Sequence, residues 1–174
     1  NFSNKFIFKE LSKFFNSNLQ ELEENELINT TVEYLIKGKL VAWFQGGSEF
    51  GPRALGARSF LADPRNDKIR DEINKKIKKR ELFRPFAPSV LIDESKHFFE
   101  LNQISPYMNI VSKVKSKDIP AVTHIDGTAR VHSVSEETHQ RYYKLIRRFG
   151  DKTGVPVLLN TSFNVQEPIV YSPK

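Results

Sequence analysis

Four of the chain's eight glycines fall within the eleven residues from Gly46 to Gly56, directly after the apolar run Leu40-Val41-Ala42-Trp43-Phe44. The run reads as a buried strand. The stretch that follows, Gly46-Gly47-Ser48-Glu49-Phe50-Gly51-Pro52-Arg53-Ala54-Leu55-Gly56-Ala57-Arg58-Ser59, reads as a loop held by that strand. Its glycines allow positive φ and a close approach of the backbone to a ligand. Pro52 removes one amide and stiffens the chain just before Arg53. Arg53 and Arg58 present planar forks of donors suited to phosphate or carboxylate oxygens. Such a loop suggests an oxyanion site, and a tight turn with solvated arginines fits the same residues.

A chain of 174 residues suits one domain with a substantial core. Hydrophobic residues make up 39% and charged residues 28%, the balance of a globular protein without disorder bias. No apolar run approaches the ~20 residues of a membrane span, and no signal-peptide pattern opens the chain. Cysteine is absent, which excludes disulfides and thiolate metal sites and agrees with a cytoplasmic setting. The net charge of +6 favours an anionic partner: a nucleotide, a phosphorylated metabolite or a nucleic acid. The chain starts at Asn1 and stops at Ser172-Pro173-Lys174, so a fragment of something longer is expected.

Residues 1–38 read as a helical lead-in: Phe6, Leu11, Phe14 and Phe15, then Leu22, Leu27, Val32, Leu35 and Ile36, recur at helical spacing before Gly38. Ser59 to Ala62 reads as a short strand. A helix is expected from Asp67 to Lys79, with Ile69, Ile73 and Ile77 as its apolar stripe. Its other face carries Lys68, Arg70, Lys75, Lys76, Lys78, Lys79 and Arg80, either a solvated face or a basic patch. Two prolines in Phe83-Arg84-Pro85-Phe86-Ala87-Pro88 bar helix and hold the backbone extended. Phe83 and Phe86 are expected to anchor that segment in the core and leave Arg84 free as a positioned anion ligand.

Val90 to Ile92 and Tyr107 to Val114 read as strands. Residues 121–134 read as two strands around the Asp126-Gly127 turn, with Arg130 and His132 on one face. Glu136 to Thr153 reads as an amphipathic helix ended by Gly154-Val155-Pro156. Val157-Leu158-Leu159 is a strand running into the loop Asn160-Thr161-Ser162-Phe163-Asn164, whose short polar side chains suit either phosphate or a turn. Helices alternating with strands indicate an α/β or α+β domain with a mixed sheet. Arg53, Arg84, Arg130 and the pair Asn160 and Ser162 thus place oxyanion-binding groups on four separate segments. A lysine phosphate loop, a dinucleotide fingerprint and a metal-spaced histidine or carboxylate cluster are missing. The chemistry this favours is electrostatic stabilisation of phosphoryl or adenylyl transfer.

Four motifs occur in order: Gly51-Pro52-Arg53-Ala54-Leu55-Gly56, Arg80-Glu81 through Phe83-Arg84-Pro85-Phe86-Ala87-Pro88, Asp126-Gly127-Thr128-Ala129-Arg130, and Asn160-Thr161-Ser162-Phe163-Asn164. Together they resemble the C-terminal domain of the O-carbamoyltransferase family, across roughly Val41 to Pro173. The resemblance implies a YrdC-like fold over residues 39–174, a mixed twisted sheet flanked by helices. It implies formation of carbamoyl-adenylate from carbamoyl phosphate and ATP, with Mg2+ accompanying the nucleotide. By motif match, Arg53, Lys78, Arg84, Arg130, Asn160 and Ser162 would bind these substrates, with the three arginines catalytic. An actin-like N-terminal domain of the same polypeptide, holding iron, would transfer the carbamoyl group to a hydroxyl. The chain departs from the family pattern at Gly47-Ser48, where an arginine is usual, at His132, where glutamine is usual, and in a shortened Asn164-Val165-Gln166-Glu167-Pro168. Two other readings remain at this point. One is a module gripping RNA or another polyanion through residues 67–80 and 107–117, although the aromatics of a single-strand platform are missing. The other is a non-catalytic interaction domain.

Overall fold

Side chains alternate across a strand, so strand register decides which residues share a face of the sheet. The computed structural model describes residues 2–15 and 18–173. Its strands are β1 Val41–Phe44, β2 Arg58–Ala62, β3 Ala87–Leu91, β4 Ile110–Lys113, β5 Thr128–Val134 and β6 Val157–Ser162. They form one sheet in the order β1-β2-β6-β3-β5-β4. Only β3 and β5 pair in parallel; the other neighbours are antiparallel, which makes the sheet mixed as expected. The helices are α1 Asn4–Leu11, α2 Glu24–Ile36, α3 Lys68–Glu72, α4 Ser95–Phe98 and α5 Glu136–Thr153. Among the described residues, no helix is long and apolar enough to cross a membrane.

One face of the sheet presents Trp43, Leu61, Leu91, Val134 and Leu158 to α2 and α5. The α5 residues Tyr142, Leu145, Ile146 and Phe149 fill that layer, and Ile28, Val32 and Leu35 of α2 join them. The opposite face presents Ala62, Val90, Val131, Val157 and Leu159 to α3, Phe98 and Phe99. The first face becomes polar toward one end. The registers Ser89↔His132, Ala87↔Asn160 and Ser59↔Ser162 put Ser89, His132, Asn160 and Ser162 there, with Arg130 two residues before His132.

Two glycines are required, one by its backbone angle and one also by what surrounds it. Gly154 takes φ +76 and stops α5 in a left-handed turn. Gly56 takes φ +99, and a Cβ there would lie 2.3 Å from the Tyr142 ring. The glycine-rich loop is thereby pressed onto α5.

Several expectations are corrected. The helix begun at Lys68 widens into a π-helical turn over Ile73–Lys78, closed by Lys79 at φ 47. Asn74, wholly buried, occupies the widened turn; its Nδ2 donates to the Leu82 and Arg84 carbonyls at 3.1 and 2.9 Å. The Asp126-Gly127 turn exists, but residues 121–125 are not its second strand. Pro120–Val122 forms a 3-10 turn buried in the core, and β4 takes the edge of β5 instead. The strand around 107–114 is shorter than expected, after Met108 at φ 55. Phe86 is buried, whereas Phe83 is 70% exposed and anchors nothing. Asn160 and Ser162 lie on β6 itself, not in a following loop. Pro88 fits within β3 because pairing with β5 starts only at Ser89, so that side of the strand is still an edge at the proline.

Candidate functional site

At the C-terminal end of β6 and the start of β3 lies a cavity of about 120 Å3. Its lining includes Arg53 from the glycine-rich loop, Arg80 from the turn after the π segment, Arg130 from β5, and Asn160, Thr161 and Ser162 from β6. Ligands of drug size occupy about 300–1,000 Å3, so the enclosed part suits a phosphate-sized group with the remainder of a larger ligand outside. A larger cavity of about 580 Å3, between α1, β1 and the C-terminal residues, is mainly apolar and holds none of these groups.

The lining carries three guanidinium groups and no carboxylate. Among the described residues, none of the three forms an ion pair. Burial, and then the charge of Arg53, push the Arg130 pKa below its usual range. Its Nε is buried without a hydrogen-bond partner. Arg80 is likewise pulled down by burial and by Arg84. Arginine keeps its charge through such shifts, so within the lining the cations face one another with no carboxylate among them, and Glu81 offsets Arg80 only from outside it. A bound anion would relieve that repulsion and satisfy the open donors.

Arg80 opens the second of the four motifs but is not among the expected site residues, being one basic residue among seven on its segment. Its Nε donates to Asn74 Oδ1 at 2.7 Å, and its guanidinium lies 4.8 Å from the Phe86 ring centroid. The π turn therefore aims it. Arg84, singled out by its prolines, is half exposed, lies 3.1 Å from Glu81, and is not part of the cavity wall.

Asn160 is buried, and its Nδ2 donates to the Ala54 carbonyl and to Ser89 Oγ, each at 3.0 Å. Ser162 Oγ donates to Asn164 Oδ1 at 2.7 Å. Lys78 lies outside the lining; its Nζ donates within 2.6–3.2 Å to the carbonyls of Ser162 and Asn164 and to both of their side chains. An ammonium has three donors, so this one is fully engaged. Burial lowers its pKa to about 8. Lys78 thus holds the end of β6, where Ser162 lines the cavity.

The glycine-rich loop does not cradle an anion with all its amides. Glu49 Oε1 accepts from the Leu55 and Ala57 amides at 2.8 and 2.6 Å, so those donors face inward. Arg58 is 1% exposed, donates to the Gln45, Ala57 and Gly46 carbonyls, and stacks on Phe44 at 3.5 Å. It clamps the loop, and only Arg53 of the two loop arginines reaches the cavity. No three His, Asp or Glu side chains gather as a metal site among the described residues.

Residues 32–174 match the family model described as the carbamoyltransferase C-terminus. The chain belongs to that family. This carbamoyltransferase C-terminal domain is 50% identical over 155 residues to nodulation protein NolNO of Sinorhizobium fredii, covering 85% of this chain and 23% of that protein. It is 41% identical over 144 residues to the 3'-hydroxymethylcephem-O-carbamoyltransferase of Amycolatopsis lactamdurans, covering 82% and 27%. The chain spans about a quarter of the length of the curated relatives it matches. Full-length HypF, solved in a phosphate- and nucleotide-bound form, is similar with a TM-score of 0.56 and 19% identity, covering 87% of this chain and 19% of that one. That likeness shows the fold, the YrdC-like mixed sheet.

Proposed function

We propose that this domain binds carbamoyl phosphate and ATP and forms carbamoyl-adenylate, the activated group for transfer to a hydroxyl. The observation that supports it is the cavity walled by Arg53, Arg80 and Arg130 without a carboxylate, in a domain of the carbamoyltransferase family. Hydrolysis of carbamoyl phosphate consumes one water and yields carbamate and inorganic phosphate. A carbamate oxygen then attacks the ATP α-phosphorus, and pyrophosphate leaves. Both steps transfer negative charge between oxygens, which fixed guanidinium groups stabilise without moving. Lys78 and Asn164 hold the Ser162 end of the site, and Arg84 stands close enough to Arg80 to depress its pKa. The lining has no carboxylate to hold Mg2+, so such an ion would be held mainly by the nucleotide's own phosphates, and no step here runs through it. A separate actin-like domain with its iron would receive the adenylate.

Calorimetric titration of the chain with carbamoyl phosphate and with ATP, together with an assay of pyrophosphate release, tests the reading. Charge-assisted hydrogen bonds contribute about 1.5–3 kcal/mol each, so Arg53→Ala and Arg130→Ala should each weaken anion binding by roughly tenfold or more. Unchanged affinity in both variants would sink the proposal. A steep loss of RNA binding with salt, independent of Arg53, would favour a polyanion module instead.

A further inference from the structure

Asn160 is 1% exposed, lines the arginine cavity, and can be oriented from its partners alone. A backbone carbonyl only accepts, so the carboxamide nitrogen must be the atom facing Ala54. Its second hydrogen goes to Ser89 Oγ. Both hydrogens are then engaged, and what remains is Oδ1, an acceptor buried without a partner. Ser89 Oγ lies 2.8 Å from His132 Nδ1. With the imidazole neutral and its proton on Nε2, the hydroxyl that accepts from Asn160 gives its own hydrogen to that nitrogen. His132 is fully buried against the His139 and Tyr142 rings, and burial lowers its pKa to about 3. In that tautomer the donors run in one direction, from Asn160 to Ser89 to His132.

We propose that Ser89 and His132 are positioning residues that, together with the Ala54 carbonyl, hold the Asn160 carboxamide with its carbonyl oxygen toward the ligand, so that the site selects an oxyanion carrying an N–H donor. The inference rests on the carbamoyl phosphate reading above and adds to it the group that tells a carbamoyl from an acyl phosphate. The arginines recognise any small oxyanion and cannot make that distinction. Oδ1 can: a carbamoyl nitrogen offers it a hydrogen, whereas a methyl group in the same place leaves it unpaired. An unmet buried acceptor costs enough that the preference should be about tenfold or more.

The test uses two hydrolysis-resistant phosphonates of nearly equal shape, phosphonoacetamide and acetonylphosphonate, with inorganic phosphate as the common anion. Affinities are measured by calorimetry for the wild-type chain, Ser89→Ala, His132→Leu and His132→Gln. Wild type should prefer the amide by about tenfold or more. Ser89→Ala and His132→Leu should lose part of that preference, because the Ala54 carbonyl still holds one hydrogen of the carboxamide, while binding inorganic phosphate as before. His132→Gln offers a carbonyl oxygen to the Ser89 hydroxyl and should retain it, and with Ser89→Ala it carries the test if His132→Leu does not fold. Equal wild-type affinity for the two phosphonates overturns the inference and leaves the anion site standing. Full amide preference in Ser89→Ala overturns the positioning role. Failure of the wild type to bind any of the three anions overturns both this inference and the reading on which it rests.

Discussion

His132 makes acid stability a direct probe of the buried polar row on β3, β5 and β6. Its pKa falls from about 6.5 in the unfolded chain to about 3 in the fold, because burial excludes the charged ring and His139 repels it. The other groups against the ring, Ser89 on β3 and Tyr142 on α5, carry no charge in this range. Between those two values the unfolded chain binds a proton that the folded chain does not. Stability therefore rises with pH across the window and is lost as pH falls below about 6.5. At pH 5, about 1.5 units into the window, the loss is about 2 kcal/mol. For a chain of this size that corresponds to roughly 4–8 °C in Tm. His132→Gln cannot take up the proton. Thermal unfolding followed by circular dichroism at pH 7 and pH 5 should show wild type losing that much more than the variant. Carboxylates whose pKa is lowered, such as Glu24 and Glu94, occur in both proteins and cancel in the difference. Equal losses in the two proteins would mean that His132 is solvated or already charged in the fold, and the oriented donor chain would fall with it.

Other perturbations separate binding from stability. Arg130→Met keeps volume and removes a repelling charge, so phosphate affinity should drop by roughly tenfold or more while Tm holds or rises, read by calorimetry and thermal melts. Arg80→Ala should weaken phosphate binding about as much as Arg130→Ala, and Arg84→Ala distinctly less, in the same titration. Lys78→Met strands the carbonyl and side-chain oxygens of Ser162 and Asn164 and should cost about 2–3 kcal/mol, seen as a fall in the urea midpoint. Gly56→Ala forces a Cβ into the Tyr142 ring at φ +99 and should destabilise by about 2 kcal/mol or more, in the same urea series.

Much of the fold was legible because its signals are local. The Gly154 stop, the α5 apolar stripe and the apolar runs at β1, β2 and β6 each follow from residues within one element. What failed was partner choice. Residues 121–125 look like a strand, yet Pro120–Val122 is drawn into the core and β4 claims β5, a competition set by packing over a distance. The site divided in the same way. Arg53, Arg130, Asn160 and Ser162 stand out beside glycine, proline or a strand end, and the fold brings them around one cavity. Arg80 is hidden by its basic neighbours, and Asn74 by having a partner pattern visible only in space. Lys78 is expected from the motif match to bind substrate, and the wide turn instead buries it against the end of β6.

That wide turn also bears on which insertions and deletions the chain can tolerate. A π turn holds one residue more than the α turn it replaces, so deleting a single exposed lysine such as Lys75 would leave Ile73–Lys78 free to close as ordinary helix. The repaired segment would be locally the better helix. Closing the wide turn would absorb the lost residue, so Lys78 and Arg80 would keep about their present directions, whereas the same deletion in ordinary helix rotates everything after it by about 100°. What such a deletion removes is the wide turn itself, the space in which Asn74 holds the Leu82 and Arg84 carbonyls and the Arg80 side chain. An alignment gap between residues 73 and 78 would therefore mark a chain that aims its arginines without this wide turn.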